Sequence, residues 1–375
     1  MKRSALRRVV APGVAALTLT MAMSACGAAN ETGSSSDSGS GSSSDSGSLS
    51  GQLAGAGASS QEKAQEAWST AFQGNNPDVT ITYDPAGSGD GRTQFIAGGV
   101  DYAGSDAYLT DDEGELTKAK ERCGTDAIEI PAYVSPIAVI YNLDGVDDLQ
   151  LDAKTTAEIF SGKITTWDDP AIADQNPDAD LPSSNITAVH RSDDSGTTEN
   201  FTDWMNQAGD GAWSADADGT WPLKGGEAAE GTSGVVSAVT NGKGTIGYAD
   251  ESQAGDLGIA KIKVGEDYVE ASPEAAAKTV EESEPVSGRP DVDMAIEVNR
   301  TSTTAGTYPV ILVSYLIACQ TYDDAAKADA VKAYLSYIVS EEGQQAAADN
   351  AGSAPLSSTV ADQATGIVEK ISAKN

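Results

Sequence analysis

Apolar and polar positions switch between two spacings along most of the chain. Val79-Thr80-Ile81-Thr82-Tyr83 alternates residue by residue in β-favouring types, the pattern of a pleated, half-buried strand. Helical spacing precedes it from about Ser59 to Phe72 and follows it from near Gly89 to Gly98-Gly99. Val100–Gly104 reads as a further strand, and Ile128–Asn142 as a long extended run broken by Pro131 and Pro136. A short helix is predicted over Asp152–Gly162 with a glycine stop, then a strand over Ile186–His190. Helices over Gly196–Gln207 and Ser233–Thr240, a strand over Thr245–Tyr248, a buried apolar segment at 310–319 and a helix over Ala325–Asn350 complete the pattern. Strand and helix alternate, with Gly-, Ser- and Thr-rich turns between them, which predicts an α/β architecture. No internal repeat of fixed period is present.

The first residues follow another rule. Lys2, Arg3, Arg7 and Arg8 precede an apolar stretch from Val9 to Met23, too short and too early for a spanning helix. It ends in Met23-Ser24-Ala25-Cys26, which resembles the lipobox of bacterial lipoproteins, with methionine where leucine is usual. The expectation is a signal peptide over residues 1–25 and lipidation of Cys26. Two acyl chains would hold the protein stably on the outer face of the cell membrane, where one would hold it marginally. Residues 26–50, almost all Gly, Ser, Asp and Ala after the cysteine, form a flexible tether with a reach of about 25–30 Å.

Length and composition narrow the rest. At 375 residues the chain suits two lobes rather than one core. Its 57 acidic against 23 basic residues, a formal charge of -34, argue against nucleic acid as a partner. His190 is the single histidine and the cysteines form no CxxC, so neither a metal site nor a cofactor is expected. With Cys26 lipidated, Cys123 and Cys319 remain as an even pair in an exported protein, which predicts a disulfide. Gly242-Lys-Gly-Thr-Ile-Gly247 spells GxGxxG, but it follows a helix and precedes a strand, the reverse of the dinucleotide-binding order, and reads as a turn.

Three segments share a chemical design. Gly55-Ala-Gly-Ala58-Ser59-Ser60, Ala86-Gly-Ser88-Gly-Asp-Gly91 and Arg191-Ser-Asp193-Asp-Ser195-Gly196-Thr197-Thr198 each open a helix with small residues. Such starts carry free N–H groups and the positive end of the helix dipole, and suit a small oxyanion. The same Ser and Thr residues also serve as simple helix caps. Arg191 adds a planar fork that fits tetrahedral oxyanions, and Asp193 either orients that fork or caps the helix. Asp106 reads on pattern as a turn or cap aspartate. Near an anion, however, an ionised Asp106 accepts a hydrogen bond from phosphate, which keeps a proton at neutral pH, and opposes sulfate, which keeps none.

In combination these motifs resemble the PstS family, the phosphate-binding proteins of bacterial ABC phosphate transporters. The resemblance covers most of residues 51–375 and rests on GAGAS at 55–59, AGSGDG at 86–91, DYAGSDA at 101–107, HRSDDSGTT at 190–198 and AGTYP at 305–309. It implies phosphate contacts at Ala58, Ser59, Ser60, Ser88, Asp106, Arg191, Ser195, Gly196 and Thr197, with Asp193 orienting Arg191. Ser60 departs from the phenylalanine common in the family, and Asp90 from a Gly or Ser. The implied fold is the type II periplasmic-binding-protein fold: two α/β lobes, 51–136 plus 299–375 and 137–298, joined by two crossings around a ligand cleft. The implied partners are inorganic phosphate and the permease and ATPase subunits of a phosphate ABC transporter, served by a monomer that is not an enzyme. Two other readings stand beside it. One is a receptor for another tetrahedral oxyanion such as sulfate or molybdate. The other is a phosphatase with Ser195 or Ser59 as nucleophile, for which His190 would be the sole histidine base. An adhesin or signalling role is compatible with binding.

Overall fold

The computed structural model describes residues 49–374 except Glu113. The predicted leader, Cys26 and nearly all of the tether lie outside these residues. The strands of the large sheet, in chain order, are β1 (Gly51–Gly57), β2 (Val79–Asp84), β3 (Tyr102–Ser105), β4 (Ile128–Asn142), β5 (Thr187–Arg191), β6 (Glu227–Ala229), β7 (Thr245–Asp250), β8 (Gly258–Ile259) and β9 (Ile311–Ala318). They lie in the order β2-β1-β3-β9-β4-β7-β5-β6, with β8 against β4. β1 pairs in parallel with β2 and β3, and β5 with β6 and β7, whereas β9 and β4 run antiparallel to their neighbours.

The two longest apolar runs become the middle of this sheet. Every residue of β9 and all of β4 up to Tyr141 are buried, as continuous apolar strands covered on both faces must be. The expectation that Pro131 and Pro136 break the run is not met: β4 passes through both. The ladder of β4 with β9 slips between Ser314 and Tyr315, whose partners are Tyr133 and Pro131, so a bulge accommodates the first proline. Pro136 ends that ladder, and from Ile137 onward β4 pairs with β7 instead. Each proline thus sits where the ladder is already interrupted.

The helices that matter for the site are α1 (Glu62–Asn75), led by a 3-10 turn at Ser59–Gln61, α2 (Ser88–Ile96), α3 (Glu115–Cys123), α4 (Gly196–Ala208) and α5 (Gly231–Asn241). The helix expected over Ala325–Asn350 is two, α6 (Ala325–Val339) and α7 (Glu341–Ala351). Ser340 separates them with an extended ψ of 162°, and its hydroxyl accepts the Gly343 N–H, so it caps the second helix. α1 is held against this pair by Trp68, whose indole donates to the Gly343 carbonyl at 2.7 Å, and by an edge-to-face contact of Phe72 with Tyr334. The predicted Cys123–Cys319 disulfide is present, joining the end of α3 to the residue after β9 across 196 positions. In the chain-entropy account so long a loop is stabilised by about 5 kcal/mol. Gly242–Gly247 is the predicted turn, running from the end of α5 into β7 with Gly244 at φ +69°.

Candidate oxyanion site

Three strand-to-helix turns build the site. β1 ends at Gly57, with φ +144°, where a Cβ would lie 1.9 Å from the Gly104 carbonyl oxygen; only glycine lets β1 and β3 close up here. Ala58 then donates its N–H to Gly104 at 2.9 Å, and Ser59–Gln61 turn into α1 with no side-chain cap. Donors at such a start have no intrahelical partner. α2 begins after Gly87, at φ +108°, again without a side-chain cap, and a Cβ on Gly87 would meet Asp193 at 2.7 Å. α4 begins after Ser195, whose hydroxyl accepts the Thr198 N–H at 3.2 Å. A Cβ on Gly196 would lie 2.8 Å from both Asp106 Cβ and Ser88 Oγ, so the start of α4 presses directly on the end of β3 and the start of α2.

Asp106 lies at the centre and is 3 % exposed. Ser60 donates to its two carboxylate oxygens at 2.7 and 2.8 Å, and Thr197 to Oδ2 at 2.9 Å. Ser314 from β9 donates to Oδ1 at 2.6 Å. The backbone is fixed as well: Asp106 N–H donates to Ser88 Oγ at 3.1 Å, and Asn200 Nδ2 donates to the Asp106 and Gly196 carbonyls at 2.8 Å each. The carboxylate therefore receives neutral hydroxyl donors from three elements, and the turn-or-cap reading of this residue is too modest.

Arg191, 2 % exposed at the end of β5, is held by Asp193: Nε donates to Oδ1 at 2.8 Å and Nη2 to Oδ2. Asp193 also accepts the Gly231 N–H at 3.0 Å at the start of α5. Burial opposes its charge, but the hydrogen bond and positive charge of Arg191, with the Gly231 N–H, hold its carboxyl below the usual carboxylate range. The Asp193 side chain thus pairs with Arg191 and meets the start of α5, while α4 is capped by Ser195.

All nine residues expected to touch ligand are buried within this one region of converging turns. Their engagements differ. The Ala58 N–H is occupied by Gly104, and Ser59 Oγ lies 3.0 Å from Thr232 Oγ1. A cavity of about 130 Å³ is lined by Asp106 and by none of the other eight. His190 points away from the turns: its ring stacks on Trp221 with centroids 4.7 Å apart, and its nitrogens face the Arg191 and Gly225 carbonyls. Four residues of the site were not singled out from the sequence: Ser314, Asn200, Thr232 and Tyr248, whose hydroxyl accepts the Arg191 N–H at 3.1 Å. Ser314 carried a signal, as the one serine inside the apolar run of β9, and Asn200 lies one helical turn after Gly196. Thr232 and Tyr248 carried none.

A PBP superfamily domain matches residues 42–342. The phosphate-binding protein PstS 2 of Mycobacterium tuberculosis is 35% identical over 341 residues, 90% of this chain and 91% of that protein. The chain belongs to the PstS family within the PBP superfamily. A PstS protein of Xylella fastidiosa is 30% identical over 304 residues, 79% of each chain. Among solved structures, a high affinity periplasmic phosphate-binding protein bound with phosphate superposes with a TM-score of 0.68 at 22% identity, covering 84% of this chain and 93% of its own. A phosphate binding protein from Stenotrophomonas maltophilia gives 0.67 at 18%, covering 84% and 94%. The PstS-family chain has the type II periplasmic-binding-protein fold that its motifs implied.

Proposed function

We propose that this protein captures inorganic phosphate outside the cytoplasmic membrane and delivers it to the membrane subunits of an ABC-type phosphate importer. The observation that carries the reading is the joint placement of Asp106, ringed by hydroxyls, and Arg191, oriented by Asp193, among three helix starts. The helix starts and Arg191 favour negative charge; Asp106 favours a ligand that brings a proton. Phosphate at neutral pH meets both demands, and sulfate or molybdate meets one. Ligand contacts are assigned to Ser59, Ser60, Ser88, Asp106, Arg191, Ser195, Gly196 and Thr197, with Ala58 shaping the turn through its bond to Gly104.

The lobes are 51–136 plus 299–375 and 137–298. β4 changes its partner from β9 to β7 between Pro136 and Ile137, which supports a crossing there. Closure of the lobes over phosphate shifts the population of a hinged clamp, and the importer reverses that shift to release it. Residues 1–25 direct export, Cys26 carries the lipid anchor, and the protein acts as a monomer without cofactor. It is not a phosphatase on this reading: the sole histidine is engaged with two carbonyls and a tryptophan rather than with Ser59 or Ser195.

Calorimetry on residues 27–375, stripped of endogenous ligand, tests the proposal. Tight phosphate binding untouched by excess sulfate is expected. Absence of phosphate binding, or its abolition by sulfate, would overturn it.

A further inference from the structure

Asp106 is the near end of a chain of hydrogen bonds that starts well inside the first half of the sheet. Tyr102 on β3 and Tyr334 on α6 both donate to Gln65 Oε1, at 3.1 and 3.2 Å. Gln65 Nε2 donates to Gln61 Oε1 at 2.8 Å, and Gln61 Nε2 donates to Ser314 Oγ at 2.6 Å and to the Tyr315 carbonyl at 3.2 Å. Ser314 Oγ donates to Asp106 Oδ1. Every member of the chain is essentially excluded from water, none being more than 3 % exposed.

The direction of this chain is forced. The Tyr315 carbonyl, which only accepts, settles which way Gln61 faces: its amide nitrogen must lie toward Tyr315 and Ser314 and its oxygen toward Gln65. Gln65 must then offer N–H to the Gln61 oxygen, which turns its own oxygen to the two tyrosine hydroxyls. Gln61 meets Ser314 with N–H as well, so the serine proton has no acceptor on that side and turns to Asp106. A serine without such a partner is free to give or take a hydrogen bond; this one is committed to giving.

We propose that Gln65, Gln61 and Ser314 are positioning residues for ligand selection: they commit a buried hydroxyl to donating, so that Asp106 accepts and the ligand must supply a proton of its own. The inference rests on the proposed role of Asp106 at a phosphate site. It assigns selection of protonated oxyanions to residues that need not touch the ligand. Remove the committed donor, and nothing from β9 holds Asp106 Oδ1 as an acceptor, so the opposition to sulfate weakens.

The test is the ratio of sulfate to phosphate dissociation constants, by calorimetry, in the wild type and in Ser314→Ala, Ser314→Thr and Gln61→Glu. Gln61→Glu keeps shape and volume but presents an acceptor to Ser314, drawing its proton away from Asp106. The ratio is expected to fall about tenfold in Ser314→Ala and in Gln61→Glu, and to recover in Ser314→Thr. Wild-type selectivity in Ser314→Ala, or in a folded Gln61→Glu whatever Ser314→Ala does, overturns the relay. Should Ser314→Ala fail to fold, Gln61→Glu decides alone. Wild-type protein that fails to bind phosphate marks the different failure, that of the phosphate reading itself.

Discussion

Two buried acidic regions of this molecule solve the same electrostatic problem in opposite ways. Asp106 is surrounded by the hydroxyls of Ser60, Thr197 and Ser314. Glu129 and Asp293, in the strand β4 and the loop beside it, share Arg289 instead, which lies 3.9 Å from Glu129 Oε2 and 3.2 Å from Asp293 Oδ2 and over the Tyr108 ring. Hydroxyls stabilise a charge without cancelling it, whereas an arginine cancels it. The second region sets one cation against two carboxyls. Burial first, and then the neighbouring Asp293 charge, push the Glu129 carboxyl well above its usual range. The Asp106 region keeps an unneutralised acceptor facing three helix starts, and such an arrangement is useful only if something else completes it.

That contrast can be broken most forcefully at Arg289. Arg289→Ala leaves two carboxyls buried without their cation, and a loss of about 3–5 kcal/mol in unfolding free energy is expected. Chemical denaturation measures it, and phosphate affinity should be untouched in whatever fraction folds. If affinity falls as well, the two regions are not independent. Arg191→Ala should behave in the reverse sense, weakening phosphate binding by about 3 kcal/mol because a buried, charge-assisted contact is lost and Asp193 is left unpaired. A calorimetric loss below about 0.5 kcal/mol would place Arg191 outside the site.

A finer effect is expected at Asp106. Asp106→Asn keeps the shape but supplies an N–H, so sulfate should gain on phosphate by about 1–3 kcal/mol in competition binding. Unchanged selectivity would remove the proton-checking role. The smallest effect belongs to Glu129→Gln. A carboxyl raised by burial holds its proton longer in the folded than in the unfolded chain. Its contribution therefore falls as pH rises from the ordinary carboxylate range toward its folded value. Glu129→Gln should flatten the decline in thermal midpoint over that window, a change on the order of 1 kcal/mol, with phosphate binding unaltered. A variant with the same pH slope as the wild type would show that Glu129 is not the group responsible.

What could be read without the structure follows from short-range physics. Spacing alone located the strands and helices that hold the site, because burial of one face imposes a period of two or near four wherever it occurs. Small residues at three helix starts marked Ser59, Ser88 and Ser195 through Thr197, since turns and caps restrict residue type locally. Prolines misled in β4 because a lone pattern does not reveal where a ladder slips or changes partner. Ser340 was passed over because α6 and α7 are both strongly helical and the break between them is one residue long. The even cysteine pair pointed to a disulfide, while only the fold brought Cys123 and Cys319 to a Cα separation of 5.2 Å.

The chain's own sequence thus determined its elements, its acidic composition and the chemistry gathered at each turn. Tertiary structure alone decided what faces what. Ser314 reaches Asp106 across 208 positions and Thr232 reaches Ser59 across 173, and no local pattern carries information over such distances. Hydrogen-bond direction is decided the same way: the proton of one serine is assigned by Gln61, from the turn before α1, and by the Tyr315 carbonyl on β9, and that assignment exists only once they are packed together.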